Sequence, residues 1–329
     1  RDSARRGEGE DDDAHDDARA RDGAPIERTK EIVTTARHVR ASASRRAARD
    51  DGYRTRGRGA RVRRSIGGAR LRNFDPFLML DFFGSDKPDE YLSGFPAHPH
   101  RGFQTVTYML AGKMRHKDSV GNEGVIEAGG IQWMNAGKGI IHEEMPEQEE
   151  GLLQGFQLWV NLPSHEKMSS PNYQDIQPSD VPVVNSHGAT VKVLAGEFDG
   201  VTGPVKTTAV APSFFDIHLT PTEDEPSLLS INIKGMQEGF IYVYEGALTV
   251  NPESAALENS LSATELGVLS STSTENSQLT LLAKAECKCI VVFGEPINEP
   301  IVQYGPFVMN TQQEIMEAFE AYKNGTLTL

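Results

Sequence analysis

From about residue 59 onward the chain is a succession of short apolar or alternating runs, each ended by glycine, proline, asparagine or aspartate. Phe77–Phe83, Phe103–Leu110, Gly124–Ile126, Ile131–Met134 and Leu153–Leu162 make one set. Thr190–Leu194, Ser213–Leu219, Leu229–Ile233, Phe240–Val250, Gln278–Ala283 and Cys287–Phe293 make a second. Side chains on an extended strand alternate between two faces, so runs this short and this regularly interrupted read as antiparallel β-structure, a sandwich or barrel. The pattern occurs twice, and the stretch between Pro178 and Pro182 marks the break. Two tandem β-domains are expected, over residues 58–180 and 181–310.

One segment breaks the pattern. Thr311-Gln312-Gln313-Glu314 is a capping box, in which the Thr hydroxyl and the Glu carboxylate satisfy the first free N–H groups of a helix. Ile315, Met316, Phe319 and Tyr322 follow at helical spacing and Gly325 supplies the stop, so residues 311–329 are expected to form a short helix and tail docked on one of the β-domains.

Composition limits the partners. The net charge is −14, yet residues 1–50 balance and residues 51–70 carry seven Arg against one Asp, which leaves −20 for residues 71–329. A body that acidic repels phosphate backbones, so it is not expected to bind nucleic acid directly. No apolar run approaches the roughly 20 residues a bilayer helix needs, so no membrane span is expected. Residues 1–57, dominated by Arg, Asp, Ala, Gly and Ser, hold too little apolar surface to offset ordering entropy and are expected to be disordered. Within them, Thr34–Arg49 has the composition of an organellar transit peptide, which would direct the protein to plastid or mitochondrion, although the acidic run Asp11-Asp12-Asp13 argues against it. Cys287 and Cys289, two apart, read as small hydrophobes of a strand in a reducing compartment.

Two short strings carry chemistry. His98-Pro99-His100 and His142-Glu143-Glu144 each place two donor residues two apart, on one face of an extended chain. On facing strands they would offer three imidazole nitrogens and one carboxylate oxygen to a single ion, and that donor set suits iron or copper redox chemistry, while zinc would also accept it. The second domain has no such string; its His187 and His218 are expected to be structural or exposed.

The string His98-Pro99-His100-Arg101-Gly102-Phe103, with Gln132-Trp133-Met134 and Ala136–Pro146, resembles the pirin family of the bicupin superfamily. Further matches are Ala60–Gly67, Asp75-Pro76-Phe77-Leu78, Leu158–Leu162 and Gly305–Thr311, so the resemblance spans roughly residues 58–325. It implies an all-β fold of two facing cupin barrels (double-stranded β-helices, or jelly rolls) with one mononuclear iron in the first and none in the second. His98, His100, His142 and Glu144 would be the ligands, with zinc, copper or manganese as alternative ions. Gln104 stands where cupins in general carry a ligating Glu, and Gly130 departs from an expected acidic turn residue. The implied activity is that of a flavonol-cleaving oxidoreductase of the quercetin 2,3-dioxygenase type, acting as a monomer on a small aromatic substrate and O2. Glu144 would be its catalytic base, and Phe103, Trp133, Met134 and Met145 would offer an apolar lining. The resemblance also implies an alternative, a redox-sensing nuclear coregulator that binds transcription regulators, in nucleus or cytoplasm. Arg54, Arg56, Arg58, Arg61, Arg63 and Arg64 would then meet an acidic partner. A zinc-dependent sugar-phosphate isomerase would need basic residues in the cavity, for which Arg101 and Lys138 are the candidates.

Overall fold

The computed structural model describes residues 62–329 except 187, 207–208, 236, 253–258 and 272–276, together with two strand segments, Lys30–Glu31 and Val39–Arg40, that pair with Leu266–Ser271. The rest of the N-terminal extension, with the disorder expected there, and His187 lie outside the described residues.

The first barrel is built from β1 (Val62–Ile66), β2 (Phe77–Ser85), β3 (Phe95–His100), β4 (Phe103–Ala111), β5 (Lys113–Asp118), β6 (Glu123–Glu127), β7 (Ile131–Asn135), β8 (Ile140–Pro146), β9 (Leu153–Asn161) and β10 (Asn172–Ile176). Six of them form one sheet in the order β10-β7-β4-β9-β2-β1, and four form the facing sheet in the order β3-β8-β5-β6. Four of the five apolar runs read from the sequence are strands of the larger sheet, and Gly124–Ile126 falls in β6 of the smaller one. Those of the smaller sheet are more polar, as in Lys113–Asp118, because one of their faces meets solvent.

The second barrel repeats the plan. Leu266–Ser271, Gln237–Glu245, Cys287–Gly294, Ser213–Leu219, Ala189–Ala195 and Val183–Ser186 lie side by side, facing a sheet of Ser227–Ile233, Ser277–Ala283, Ala247–Val250 and Ser260–Ser262. The run Phe240–Val250 is two strands rather than one, split at Gly246, whose φ of 76° and whose approach to the Glu286 carbonyl leave no room for a side chain. The interior is apolar, filled by residues such as Val191, Phe215, Ile217, Leu279 and Leu281, with Cys287 and Cys289 packed among them.

The two larger sheets pack face to face. Phe77, Phe82, Tyr108, Trp133 and Phe156 of the first barrel share one core with Phe214, Phe240, Tyr242 and Val292 of the second. Phe77 meets Phe240 edge-on at 5.1 Å. A buried polar contact crosses this core: the Tyr108 hydroxyl donates to Asp216 Oδ2 at 2.6 Å. Asp216 also accepts from Tyr244 at 2.6 Å and lies 3.3 Å from Lys192 and 3.4 Å from His218. Burial opposes the carboxylate, but the His218 hydrogen bond and the Lys192 charge outweigh it and hold the pKa of Asp216 below the usual range. His218, half-buried against Tyr244 at 2.9 Å, is structural as expected.

The chain then returns to the first barrel. A hairpin of Val302–Tyr304 and Phe307–Met309 leads into the helix α1 (Gln312–Lys323), which opens with the expected capping box at Thr311 and Glu314. Phe307, Met309, Ile315, Ala318 and Leu327 form a cluster against Ile141 of β8. The buried line of the helix therefore runs through Ile315 and Ala318, while Met316, expected on the inner face, is 54% exposed. A helix docked by a short hairpin buries a narrow stripe, and Met316 lies a full residue step, about 100°, around from Ile315.

Candidate metal centre

Strands β3 and β8 pair antiparallel with His142 opposite His98 and Ile140 opposite His100, so both histidines of β3 meet His142 on the barrel's inner face. A register shift between His142 and Glu144 brings Glu144 opposite Phe95. Gly102, at φ 86°, turns the chain between β3 and β4; a Cβ there would lie 2.0 Å from the Val308 carbonyl oxygen, so glycine is required. The ring centroids of His98 and His142 are 4.5 Å apart, those of His98 and His100 4.6 Å and those of His100 and His142 5.0 Å. One ring nitrogen from each histidine lies within 4.8 Å of the others.

The protonation states suit a cation. His98 Nδ1 is 2.8 Å from the Pro96 carbonyl, which can only accept, so in the neutral ring Nδ1 carries the proton and Nε2 the lone pair. Burial lowers the pKa of His100 well below the ordinary value, helped by the charges of His98 and His142. Burial, then His98 and His116, does the same to His142. Both imidazoles are therefore neutral near pH 7, the form that ligates. Among the described residues the ring nitrogens of His142 have no hydrogen-bond partner and His100 faces the Pro306 backbone, although both residues are buried. Buried polar atoms are nearly always paired, so lone pairs left open and brought together fit a metal ion.

Glu144 is buried beside the triad but is not within the 4.8 Å group. It is held by β4 and β9: Thr107 Oγ1 is 2.7 Å from Glu144 Oε1, and Gln157 Nε2 donates to Oε2 at 3.0 Å. These two partners belong to a row that no local pattern reveals. Arg64, Asp81, Gln157, Thr107, Gln132 and Asp175 are successive cross-strand partners across the six-stranded sheet, one from each strand, all on the inner face. Arg64 forks onto Asp81 through Nε at 2.7 Å and Nη2 at 2.5 Å, and Gln132 donates to Asp175 at 2.9 Å. Where the second barrel has an apolar core, the first has a polar floor.

A cavity of about 440 Å³ opens above this floor. His98, His100, Glu144, Gln157 and the Arg64–Asp81 pair meet it, and Met79, Phe95, Pro96 and Trp159 give it apolar walls. Gly305 and Pro306, from the far end of the chain, close one side.

Several expected residues lie elsewhere. Phe103 backs the site, its ring 5.1 Å from that of His100, but packs with Leu78 and Val308; Trp133 sits in the core between the barrels, and Met134 packs with Ala136 and Ile140. Met145 is half-buried and off the cavity wall. Gln104 shares the strand face of Val106 and Tyr108, away from the triad, so its amide is no substitute ligand. At Gly130 the turn is closed by the backbone, its N–H donating to the Glu127 carbonyl at 2.8 Å, and needs no acidic side chain. Arg101 donates to the carbonyls of Lys138 and Leu327, and Lys138 to that of Leu329 at 3.0 Å, so both bind the C-terminal tail rather than a phosphate in the cavity. His116, which spacing gave no reason to select, is buried opposite Glu144 and stacks on Tyr173 at 5.7 Å.

Comparison with known proteins agrees with this architecture. The family described as Pirin matches residues 59–160, and the Pirin C-terminal cupin domain matches residues 214–328. A Pseudomonas aeruginosa protein named provisionally as a quercetin 2,3-dioxygenase is 45% identical over 278 residues, covering 83% of this chain and 94% of its own. Human Pirin is 41% identical over 270 residues, covering 82% of this chain and 88% of its own. The crystal structure of a quercetin 2,3-dioxygenase from Acinetobacter baumannii superposes with a TM-score of 0.73 at 34% identity, over 84% of this chain and 95% of that one. With two facing barrels, an imidazole triad in the first and these matches over most of its length, the chain belongs to the pirin family of the cupin superfamily.

Proposed function

We propose that the first barrel is the site of an iron-dependent dioxygenase that opens a flavonol such as quercetin, with His98, His100, His142 and Glu144 as the donors to the ion. The observation that carries this reading is the convergence of three imidazoles, those of His100 and His142 buried, beside an apolar-walled cavity of about 440 Å³. Bound there, iron would supply a Lewis acid and a redox centre at the cavity floor. The chain's own residues do the rest. Met79, Phe95, Pro96 and Trp159 hold a flat aromatic ligand and exclude water. Glu144 accepts the proton of the substrate's enolic hydroxyl, and Thr107 and Gln157 hold its carboxyl in place for that transfer.

Purification under nitrogen with metal analysis, followed by O2 uptake and carbon monoxide release on adding quercetin, tests the reading. Iron near one per chain with both signals supports it. Full iron occupancy without either signal rejects the activity, and iron retained in both His98→Ala and His142→Ala rejects the ligand set. The coregulator alternative drew on an arginine cluster; Arg54, Arg56, Arg58 and Arg61 lie outside the described residues, and Arg64 lines the cavity.

A further inference from the structure

The charged pair in the cavity wall has no part in holding the ion or in the proton transfer. Arg64 and Asp81 sit on the two neighbouring strands β1 and β2, with side chains 24% and 7% exposed, and the faces around them are Val62, Met79 and Phe95. Two charges taken this far from water are expensive, and an apolar pair of similar volume would serve the sheet as well. The second barrel shows as much, with an interior built from apolar side chains. The pair also stands in a definite place. It is the end of the polar row, followed in register by Gln157, whose amide holds Glu144. Adjacent strands lie about 4.8 Å apart, so two strand steps put Arg64 about 10 Å from Gln157 along the cavity floor. That is the reach of a fused bicyclic aromatic with a further ring attached, not of a single ring.

We propose that Arg64 and Asp81 are the specificity-determining residues of this cavity, and that they select a flat, multi-ring aromatic carrying hydroxyl groups on the ring remote from the reacting centre. The Asp81 carboxylate accepts from a ring hydroxyl while the Arg64 guanidinium donates to the neighbouring ring oxygen; adjacent hydroxyls, as on a catechol, engage both. A ligand with a bare ring leaves the ion pair covered and unsolvated, and is disfavoured for that reason. This inference rests on the reading of the cavity as a flavonol site and adds which flavonols it takes.

Trp159 lines the cavity, so quenching of its fluorescence reports binding without turnover. The protein with its bound metal is titrated under nitrogen with quercetin, which carries a catechol ring, with the analogue bearing one hydroxyl on that ring, and with the analogue bearing none. Affinity is expected to fall in that order, by roughly tenfold from first to last, the worth of one charge-assisted hydrogen bond. In Arg64→Met/Asp81→Leu, which removes both charges together, quercetin affinity should fall to that of the bare analogue. Arg64→Lys, which keeps the charge and the fold but not the fork, should flatten the order by several-fold. Equal affinity for all three ligands in the unaltered protein, or an order unchanged in both variants, overturns the proposal. Ordered binding without any O2 uptake leaves the selection standing and removes the dioxygenase reading; turnover without ordered binding does the reverse. No quenching by any of the three overturns both.

Discussion

The ammonium group of Lys167 lies 2.8 Å from the carbonyl oxygen of Gly102, the residue that turns the chain out of the His98–His100 strand. The same nitrogen reaches Asn161 Oδ1 at 2.7 Å and the Val308 carbonyl at 3.2 Å, so its three protons meet three acceptors. Lys167 is 1% exposed, and burial pulls its pKa down to about 8. One side chain thus joins the ligand strand, the end of β9 and the C-terminal hairpin.

Lys167→Met should accordingly leave three buried acceptors unpaired and cost about 3 kcal/mol of stability, by the usual penalty for such groups. Chemical denaturation measures the loss. Metal content should fall as well, because the turn at Gly102 sets the angle of His100. Stability within about 0.5 kcal/mol of the parent would show the ammonium to be dispensable.

Gln157→Leu removes one donor to Glu144, leaving Thr107 and the triad's own residues unchanged. Metal content should be retained and quercetin turnover should drop by about 10- to 100-fold, the range for residues that orient a site. Restoration by Gln157→Asn would be partial at most, since the shorter amide falls short of the carboxylate. Turnover equal to the parent's would deny Gln157 a positioning role.

Tyr108→Phe takes away a hydrogen bond from the first barrel to the buried Asp216. The expected loss is about 1–3 kcal/mol, and it should appear in the unfolding of both barrels together, since their larger sheets share one core. Calorimetry would show two separated transitions if the link were unimportant.

Acid should weaken the metal-free protein before its carboxylates titrate. The folded-state pKa values of His100 and His142 are depressed, so the unfolded chain binds these protons first. The contribution is fully present above the unfolded value of about 6.5 and is lost progressively as pH falls below it. Urea midpoints from pH 8 to 5 should decline for the parent and decline less for His100→Ala. Parallel curves would refute the assignment.

Much of this protein is written in short-range pattern. Short apolar or alternating runs mark most of the strands, Thr311 and Glu314 mark the helix start, and spacing by two puts His98 with His100, and His142 with Glu144, on one face. Each of these depends on residues within a few positions of one another, and geometry over that distance follows from the backbone alone. Strand pairing is different. That Arg64 meets Asp81, that Gln157 and Thr107 reach Glu144, and that Gly305 and Pro306 wall a cavity whose ligands lie some 200 residues earlier all depend on register and docking between distant segments. A slip of one residue in any strand would turn those side chains to the opposite face. The sequence alone names the candidate donors and the barrels that hold them; the polar floor, the cavity's walls and the partners of the buried charges are decided only when the sheets close.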